Sequence, residues 1–339
     1  MRKIAVEEAV GMVLGHDLTK IVPDTFKGAA FKKGHVLRKE DVEALRKMGK
    51  NHIWVLELAA DELHENDAAI RIAKATVSED FILEGPSEGK ISILAKKKGL
   101  LKINTDLLEE VNNRERIMMA TIRHHTVVEE NKMVAGTRII PLKIKEEEIK
   151  AVEALCHGQE PLLQMKELLR LKVGILVTGT EVYTGLIEDK FSQVLVDKVR
   201  QMGSEAMDPV FAPDEEEVIE SKIGQLVREG AQLILLAGGM SVDADDVTPK
   251  AIANASTEII TYGAPVLPGA MLMLAYAEEI PMVGVPACAM YHKITVLDLV
   301  LQRLMVGEKP TKREISALGH GGLCQHCEVC HYPVCTLSR

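Results

Sequence analysis

Short aliphatic runs alternate with longer amphipathic stretches along the second half of the chain. Runs such as residues 173–177 and 233–237 contain hardly any polar side chains, which is typical of parallel strands that are buried on both faces. The stretches between them repeat apolar residues every three or four positions, as amphipathic helices do. Residues 171–307 are therefore predicted to form an α/β domain with a doubly wound, mostly parallel sheet.

The first half of the chain has a more mixed pattern. Residues 1–58 combine a helix-like stretch, which Gly49 ends, with a strand-like run, so a small mixed α+β unit is predicted there. Residues 59–170 are predicted to be mainly helical, with Asn104 and Asp106 as candidate helix caps. The helices expected in this second unit cover residues 59–75, 107–122, 146–155 and 161–171.

The composition narrows the class of protein. With 41 basic and 50 acidic residues the formal charge is −9, which argues against nucleic acid as a partner. The longest apolar stretch, residues 264–277, is interrupted by Pro268 and Gly269 and is too short to span a bilayer. No secretion signal is recognised at residues 1–8, so a cytoplasmic location without membrane contact is expected.

Two of the predicted strands end in turns that are rich in glycine and acid. In parallel sheets, ligands bind at the carboxyl ends of the strands, and glycine turns let backbone amides approach a phosphate. Carboxylates beside such amides suit a Mg²⁺ ion that bridges to the phosphate. The alternative is that the aspartates only cap the helix that starts near Pro249. The two turns contain Thr178, Gly179, Thr180 and Glu181, and Gly238, Gly239, Ser241, Asp243, Asp245 and Asp246.

Residues 308–339 are predicted to be a linker followed by a metal-binding tail. Cys324, Cys327, Cys330 and Cys335 lie within twelve residues, a spacing that suits either a tetrahedral zinc ion or an iron–sulfur cluster. Nearby histidines could replace a thiolate in a zinc site. Residues 319–322 are expected to be a flexible hinge. The pair His124-His125, in contrast, is expected to be a surface turn rather than a metal site.

The order of several motifs resembles that of molybdopterin-binding domains in molybdenum cofactor biosynthesis proteins, above all the molybdopterin molybdenumtransferase family. The motifs are Val-Thr-Gly-Thr-Glu181, Ile-Glu-Asp189, Ala-Pro-Asp214, Ala-Gly-Gly-Met-Ser241-Val-Asp-Ala-Asp-Asp246 and Leu-Pro268-Gly269. The resemblance implies a molybdopterin phosphate bound at the strand ends, Mg²⁺, insertion of molybdate into an adenylylated intermediate, and a homodimer.

The same resemblance assigns roles to individual residues. Glu181, Asp214 and Asp246 match the acids of the family's catalytic site. The positions that match its cofactor-binding residues are Thr178, Gly179, Thr180, Asp189, Gly238, Gly239, Ser241, Pro268, Gly269 and Pro286. This chain also departs from the family, because Leu267 and Ala270 stand where lysines usually flank the Pro-Gly pair, and Phe191 replaces an asparagine.

Three functions follow from these features. The first is an enzyme that inserts molybdenum into molybdopterin. The second is a carrier, sensor or maturation factor that holds the cofactor and delivers it to a molybdoenzyme or another biosynthesis protein. The missing lysines favour the second, and the retained acids allow the first. The third is a nucleotide-handling enzyme on the same fold, as in competence-damage-type proteins.

Overall fold

The computed structural model describes residues 2–22, 26–87, 89–241, 243 and 246–337. Asp245, one of the acids singled out above, lies outside these residues. The chain divides into two units. Residues 1–97, 103–122 and 130–164 make up the first unit, and residues 98–102, 123–129 and 165–339 make up the second.

The second unit is built on one sheet, which has seven strands in the part of the chain that the structure describes. Its strands are β14 (Lys172–Thr178), β15 (Glu205–Ala206), β16 (Val210–Ala212), β17 (Leu233–Ala237), β18 (Glu258–Tyr262), β19 (Met273–Ala277) and β20 (Ile280–Val285). Its helices are α5 (Thr180–Tyr183), α6 (Phe191–Gln201), α7 (Glu216–Arg228), α8 (Thr248–Ala255), α9 (Val296–Leu304) and α10 (Lys312–Ala317). A short 3₁₀ helix covers Ala287–Met290.

The sheet is mostly parallel, as the sequence predicts. β14 pairs in parallel with β15, β16 and β17, and β17 pairs in parallel with β20. β19 and β18 extend the sheet in the antiparallel sense. These two strands are absent from the sequence prediction, because Pro268 and Gly269 interrupt the apolar pattern just before β19. The sequence pattern also predicts a helix over residues 291–304, but α9 begins only at Val296.

Helices cover both faces of this sheet. Ile175 and Leu235 point into a core that contains α6 and α9. Leu176 and Leu236, one position further along each strand, point into a second core with α7 and α8. Side chains of a strand alternate between the faces of a sheet, so the unbroken aliphatic runs reflect burial on both sides. The prediction of a doubly wound domain is confirmed.

The first unit mixes strands and helices throughout. Its sequence supplies β1 (Arg2–Ala5), β2 (Leu18–Val22), β3 (Phe26–Phe31), β4 (His52–Val55), β5 (Glu62–His64), β6 (Phe81–Ser87), β7 (Lys90–Ala95), β9 (Ile117–Thr121), β11 (Met133–Ile139) and β12 (Lys143–Lys145). Its helices are α1 (Lys39–Lys47), α2 (Glu65–Thr76), α3 (Thr105–Asn112) and α4 (Glu146–Cys156). The three remaining strands are β8 (Gly99–Ile103), β10 (Thr126–Val128) and β13 (Leu163–Lys166), which form a sheet of their own. β6, β7, β11 and β9 form an antiparallel sheet against which α2 packs.

The prediction that residues 59–170 are mainly helical is wrong. The expected helix at 107–122 ends at Asn112, whose side chain bonds to both the N–H and the carbonyl of Met119 and so holds β9 against α3. Residues 117–121 alternate between buried and exposed positions at the start of β9, which is the period of a strand. The expected helix at 161–171 is replaced by β13 for the same reason. The cap at Asn104 is present, and its side chain accepts from Leu107 N.

No helix in the described part of the chain is both long and apolar enough to cross a membrane. The predicted tail is folded onto the second unit. Leu337 is 3% exposed and belongs to the same core as α9, and Tyr332 packs against that core. Gly322 is buried, and a Cβ atom on it would lie 2.5 Å from the carbonyl oxygen of Pro265, whereas Gly319 and His320 are exposed. The expected hinge is therefore packed at Gly322, and its flexibility stays a prediction.

A cluster of charged side chains in the second unit lies just beyond α9. Glu308 pairs with Arg303 at 2.8 Å and with Lys102 at 2.7 Å, and it lies 3.4 Å from Nε2 of His125. His124 and His125 form the predicted turn, but both rings are partly buried and stack with their centroids 3.6 Å apart. Burial, together with the neighbouring His125, lowers the pKa of His124 to about 3.

Replacing His124 with glutamine should make the protein less sensitive to acid. The pKa of His124 is lower in the folded than in the unfolded chain, so the unfolded chain binds more protons below about pH 6.5. The free energy of unfolding therefore falls as the pH is lowered through this range. Between about pH 7 and pH 5 the wild type should lose on the order of 1 kcal/mol more than H124Q. Urea unfolding at both pH values measures this. H320Q, at an exposed histidine, is the control, and equal losses in wild type and H124Q would contradict the prediction.

Candidate functional site

The residues of the predicted glycine and acid turns gather where the parallel strands of the second unit's sheet have their carboxyl ends. We call this row of strand ends the edge of the sheet. Parallel strands β14, β17 and β20 end there in register, with Val177 beside Ala237 and Ala237 beside Val285. β19 is antiparallel and starts at the same edge, where Met273 pairs with Gly284. The turns after β14, β17 and β20 and the Pro268–Gly269 turn before β19 therefore lie along one edge.

The turn after β14 is tied to the end of β16 by Asp214. One carboxylate oxygen of Asp214, Oδ2, accepts hydrogen bonds from Thr180 N at 2.8 Å and from Thr180 Oγ1 at 3.1 Å. Gly179, at φ 138°, lets the chain turn from the strand into α5. The second oxygen, Oδ1, lies on the side of Gly239, 3.6 Å from where a Cβ atom there would be. Asp214 thus joins two of the predicted turns.

The turn after β17 lies directly against the end of β14. A Cβ atom on Gly238, at φ 102°, would be 2.0 Å from the carbonyl oxygen of Thr178. On Gly239, at φ 53°, it would be 2.8 Å from Oγ1 of Thr248. Both positions therefore require glycine. The buried hydroxyls of Thr178 and Thr248 hydrogen-bond to each other at 2.9 Å, which fixes the first residue of α8 to the end of β14.

The acids of the second turn do not cap the helix that follows. Asp246 accepts from the backbone N–H of Asp243 at 2.9 Å, and α8 has Val247 at its N-cap with no side-chain cap bond. For the described acids, Asp243 and Asp246, the capping alternative is therefore not observed. Asp243 and Glu181 are exposed at the same edge of the sheet, where their carboxylates are open to a ligand.

Two residues of this site have no counterpart in the sequence prediction. Thr248 is one, and Tyr262 of β18 is the other. The Tyr262 hydroxyl lies 3.3 Å from the carbonyl oxygens of both Met240 and Ser241 and can donate to either, which holds the turn after β17. Burial raises the pKa of Tyr262, and the negative charge of Asp246 raises it further. Neither contact has a local sequence signal, because each joins segments that are distant along the chain.

Other predicted site residues have structural partners of their own. Asp189 accepts from the N–H groups of Phe191 at 2.7 Å and Ser192 at 3.2 Å at the start of α6. Pro268 and Gly269 are buried, and a Cβ atom on Gly269 would be 2.6 Å from Cγ1 of Val296 at the start of α9. Pro286 is buried as well. These contacts give the residues a structural role at this edge, and their direct contact with a ligand remains a prediction.

Among the described residues, no three histidine, cysteine or acidic side chains come close enough together to hold a metal ion. A Mg²⁺ ion is usually bound by one or two carboxylates together with water and substrate phosphates. Glu181, Asp214 and Asp246 could supply such carboxylates only with a phosphate ligand present. Leu267 and Ala270, beside the Pro-Gly turn, add no positive charge.

The four cysteines of the tail line a single cavity of about 490 Å³, which we call the thiol cavity. Its other wall is formed by residues 291–294, which follow the 3₁₀ helix after β20. Cys327 and Cys330 are exposed, whereas Cys324 and Cys335 are partly buried. Their thiols line the same cavity but are not placed close enough together to coordinate one metal ion. These positions favour neither zinc nor an iron–sulfur cluster.

Replacing Gly238 with alanine should destabilise the second unit. Its Cβ atom would collide with the end of β14, in addition to the cost of about 1–2 kcal/mol for a left-handed backbone. Gly185→Ala is the matched control, because Gly185 also has a positive φ, 77°, but no atom lies within 4 Å of its added Cβ. Urea unfolding should show a loss for G238A about 2 kcal/mol larger than for G185A. Equal losses would mean that the close approach does not matter for stability.

Comparisons with known proteins were made for the whole chain. Residues 174–306 match the family model described as "Probable molybdopterin binding domain", and residues 3–57 match a domain of unknown function. Curated relatives include CinA-like proteins of Mycobacterium sp. (strain JLS), 35% identical, and Mycobacterium tuberculosis (strain ATCC 25177 / H37Ra), 32% identical. Each match spans 83 residues, which is 24% of this chain but only 20% and 19% of the relatives.

The solved structures that match part of this chain include the molybdopterin biosynthesis enzyme MoaB of Thermus thermophilus, at 21% identity and a TM-score of 0.35. CinA of Thermoplasma acidophilum has 11% identity and a TM-score of 0.35. The matches cover 41% and 40% of this chain, and 98% and 97% of the respective structures. The family model confirms the resemblance seen in the sequence: over residues 174–306 this chain carries a domain of the probable molybdopterin binding family.

Proposed function

We propose that the second unit binds molybdopterin, or its adenylylated form, at the edge where β14, β17 and β20 end. The observation that carries this proposal is the contact of Gly238 with the end of β14, which brings two glycine turns and Asp214 together. Such turns expose backbone N–H groups to a phosphate. The family of the domain supplies the pterin as the ligand class.

The phosphate would lie at the turn that leads into α8. The glycine turn itself would supply most of the donors, because Pro249 in the first turn of α8 has no N–H and Lys250 N donates to Val247 O at 3.1 Å. Gly239 adds no side chain at this point, and a Cβ atom there would meet Thr248. Glu181 and Asp246 would then share a Mg²⁺ ion with the bound phosphate, and water would complete the coordination shell.

Two roles are compatible with this ligand. As an enzyme, the protein would insert molybdate into adenylylated molybdopterin with Glu181, Asp214 and Asp246 in the catalytic site. As a carrier, sensor or maturation factor, it would hold the cofactor and pass it to a molybdoenzyme or another biosynthesis protein. Leu267 and Ala270 favour the carrier, because neither can neutralise the charge of an oxyanion at the Pro-Gly turn. We further propose that it acts as a cytoplasmic homodimer.

We also propose that the tail cysteines bind a metal, either as zinc or as an iron–sulfur cluster. The support is their density and spacing together with the single cavity that Cys324, Cys327, Cys330 and Cys335 line. In a chain of this length with only six cysteines, four clustered thiols are more typical of metal binding than of disulfides.

Replacing Glu181 or Asp246 with alanine should weaken molybdopterin binding when Mg²⁺ is present. Each change removes a ligand of the bridging ion, and we expect affinity to fall by about tenfold, or 1.4 kcal/mol. In EDTA the loss should disappear, because removing a carboxylate then only reduces repulsion of the phosphate. Pterin bound to purified protein is measured by oxidation and fluorescence.

Glu279→Ala is the matched control, because this exposed acid lies in the turn between β19 and β20 at the opposite edge of the sheet. Unchanged affinity in both E181A and D246A would show that the site is assigned wrongly. No binding of pterin by the wild type would exclude both the enzyme and the carrier. In that case binding of a nucleotide would favour the third interpretation. Molybdate-dependent consumption of adenylylated molybdopterin separates enzyme from carrier.

A further inference from the structure

The thiol cavity adjoins a segment that follows one turn of the proposed ligand site. One wall, residues 291–294, continues from the turn after β20 that contains Pro286. The opposite wall is the tail itself, from Cys324 to Leu337. The rings of His292 and His326, one from each wall, have their centroids 5.3 Å apart. The two walls therefore approach each other closely enough for one bound ion to touch both.

The tail is also joined to the Pro-Gly turn by main-chain hydrogen bonds. Leu267 N donates to Gly322 O at 2.8 Å, and Cys324 N donates to Leu267 O at 2.8 Å. These bonds form a parallel bridge between Leu267 and Leu323. Leu267 directly precedes Pro268, whose carbonyl oxygen accepts from Val296 N at 3.3 Å at the start of α9. The first tail cysteine is thus one hydrogen bond away from a predicted ligand turn.

The remainder of the tail is held firmly at its far end. Leu337 is buried in the core, and its carbonyl oxygen accepts from Nη1 of Arg123 at 3.0 Å. The hydroxyl of the partly buried Tyr332 lies 3.3 Å from Oε1 of Gln302 in α9. The two exposed thiols, Cys327 and Cys330, lie between the bridge at Leu323 and the anchored Tyr332. A ligand that draws them inward would pull on a segment anchored at both ends.

We propose that the thiol cavity binds a thiolate-coordinated metal centre and that this binding sets the affinity of the pterin site by fixing the Leu267–Pro268–Gly269 turn. This inference rests on the proposed function for its second half. In the described residues the thiols are not yet within bonding distance of one ion, so metal binding must draw residues 324–335 together. Thiolates release their protons when they bind the metal.

The coupling works in both directions. Closure of the tail tightens the bridge to Leu267, which directly precedes the Pro268–Gly269 turn of the proposed pterin site, and holds the wall at 291–294. If the metal raises the affinity for pterin by a given factor, pterin raises the affinity for the metal by the same factor. A metal that only stabilised the tail would leave the turn before β19 and the pterin affinity unchanged.

The first test measures the coupling without pterin. Full-length protein is prepared metal-free, loaded with Zn²⁺, or reconstituted anaerobically with iron and sulfide, and hydrogen exchange is followed in peptides that cover residues 263–272. The form that binds metal should exchange these amides about fivefold or more slowly. Zinc loading alone, or cluster formation alone, identifies the metal centre. Failure of both forms to bind, or binding without slower exchange at 263–272, would overturn the inference.

The second test uses variants and pterin affinity. Cys330→Ser removes an exposed thiol without disturbing the core, and Val329→Ala, at a neighbouring exposed residue, is the matched control. C330S should lose metal and bind pterin about fivefold more weakly than the metal-loaded wild type, whereas V329A should keep both properties. Equal pterin affinity in metal-loaded and metal-free wild type would overturn the coupling. Slower exchange without pterin binding in any form would instead count against the proposed function alone.

Discussion

The turn after β17 lies so close to the end of β14 that a Cβ atom on Gly238 would be 2.0 Å from the carbonyl oxygen of Thr178. This approach leaves no space for a side chain on Gly238, and Thr248 limits the space at Gly239. It also brings Thr248 to Thr178, so that α8 starts directly above the parallel strands. Asp214 is drawn in from the end of β16 through Thr180. A polar edge with little side-chain bulk is the result.

The strands and glycine turns could be predicted from the sequence, because each results from a pattern within one short segment. The runs at 173–177 and 233–237 are aliphatic because they are buried on both faces, and the chain turns after them at glycine. Thr248 and Tyr262 could not be found in this way, because their partners lie 70 and about 22 residues away. In the first unit, Asn112 ends α3 by bonding to Met119, a tertiary contact that overrides helical composition. The close packing of Gly322 against Pro265 likewise depends on a distant segment.

The charged side chains at this edge of the sheet bear differently on ligand binding and on catalysis. Glu181, Asp214 and Asp246 supply negative charge, while Leu267 and Ala270 replace the lysines that the resemblance leads one to expect. An anionic ligand would need Mg²⁺ to offset the carboxylates. The thiol cavity lies beside the same Pro-Gly turn through the Leu267–Leu323 bridge. Where the resemblance leads one to expect cationic side chains, this chain has a turn that is hydrogen-bonded to its tail.

We propose that a pterin phosphate binds where the turns after β14 and β17 meet. A crystal structure of the full chain with molybdopterin and Mg²⁺ tests this most directly. We expect the phosphate within hydrogen-bonding distance of the Gly238–Ser241 backbone, with the metal ion between the phosphate and Glu181 or Asp246. A pterin bound at any other edge or unit, with the Gly238–Ser241 turn left free, would contradict it.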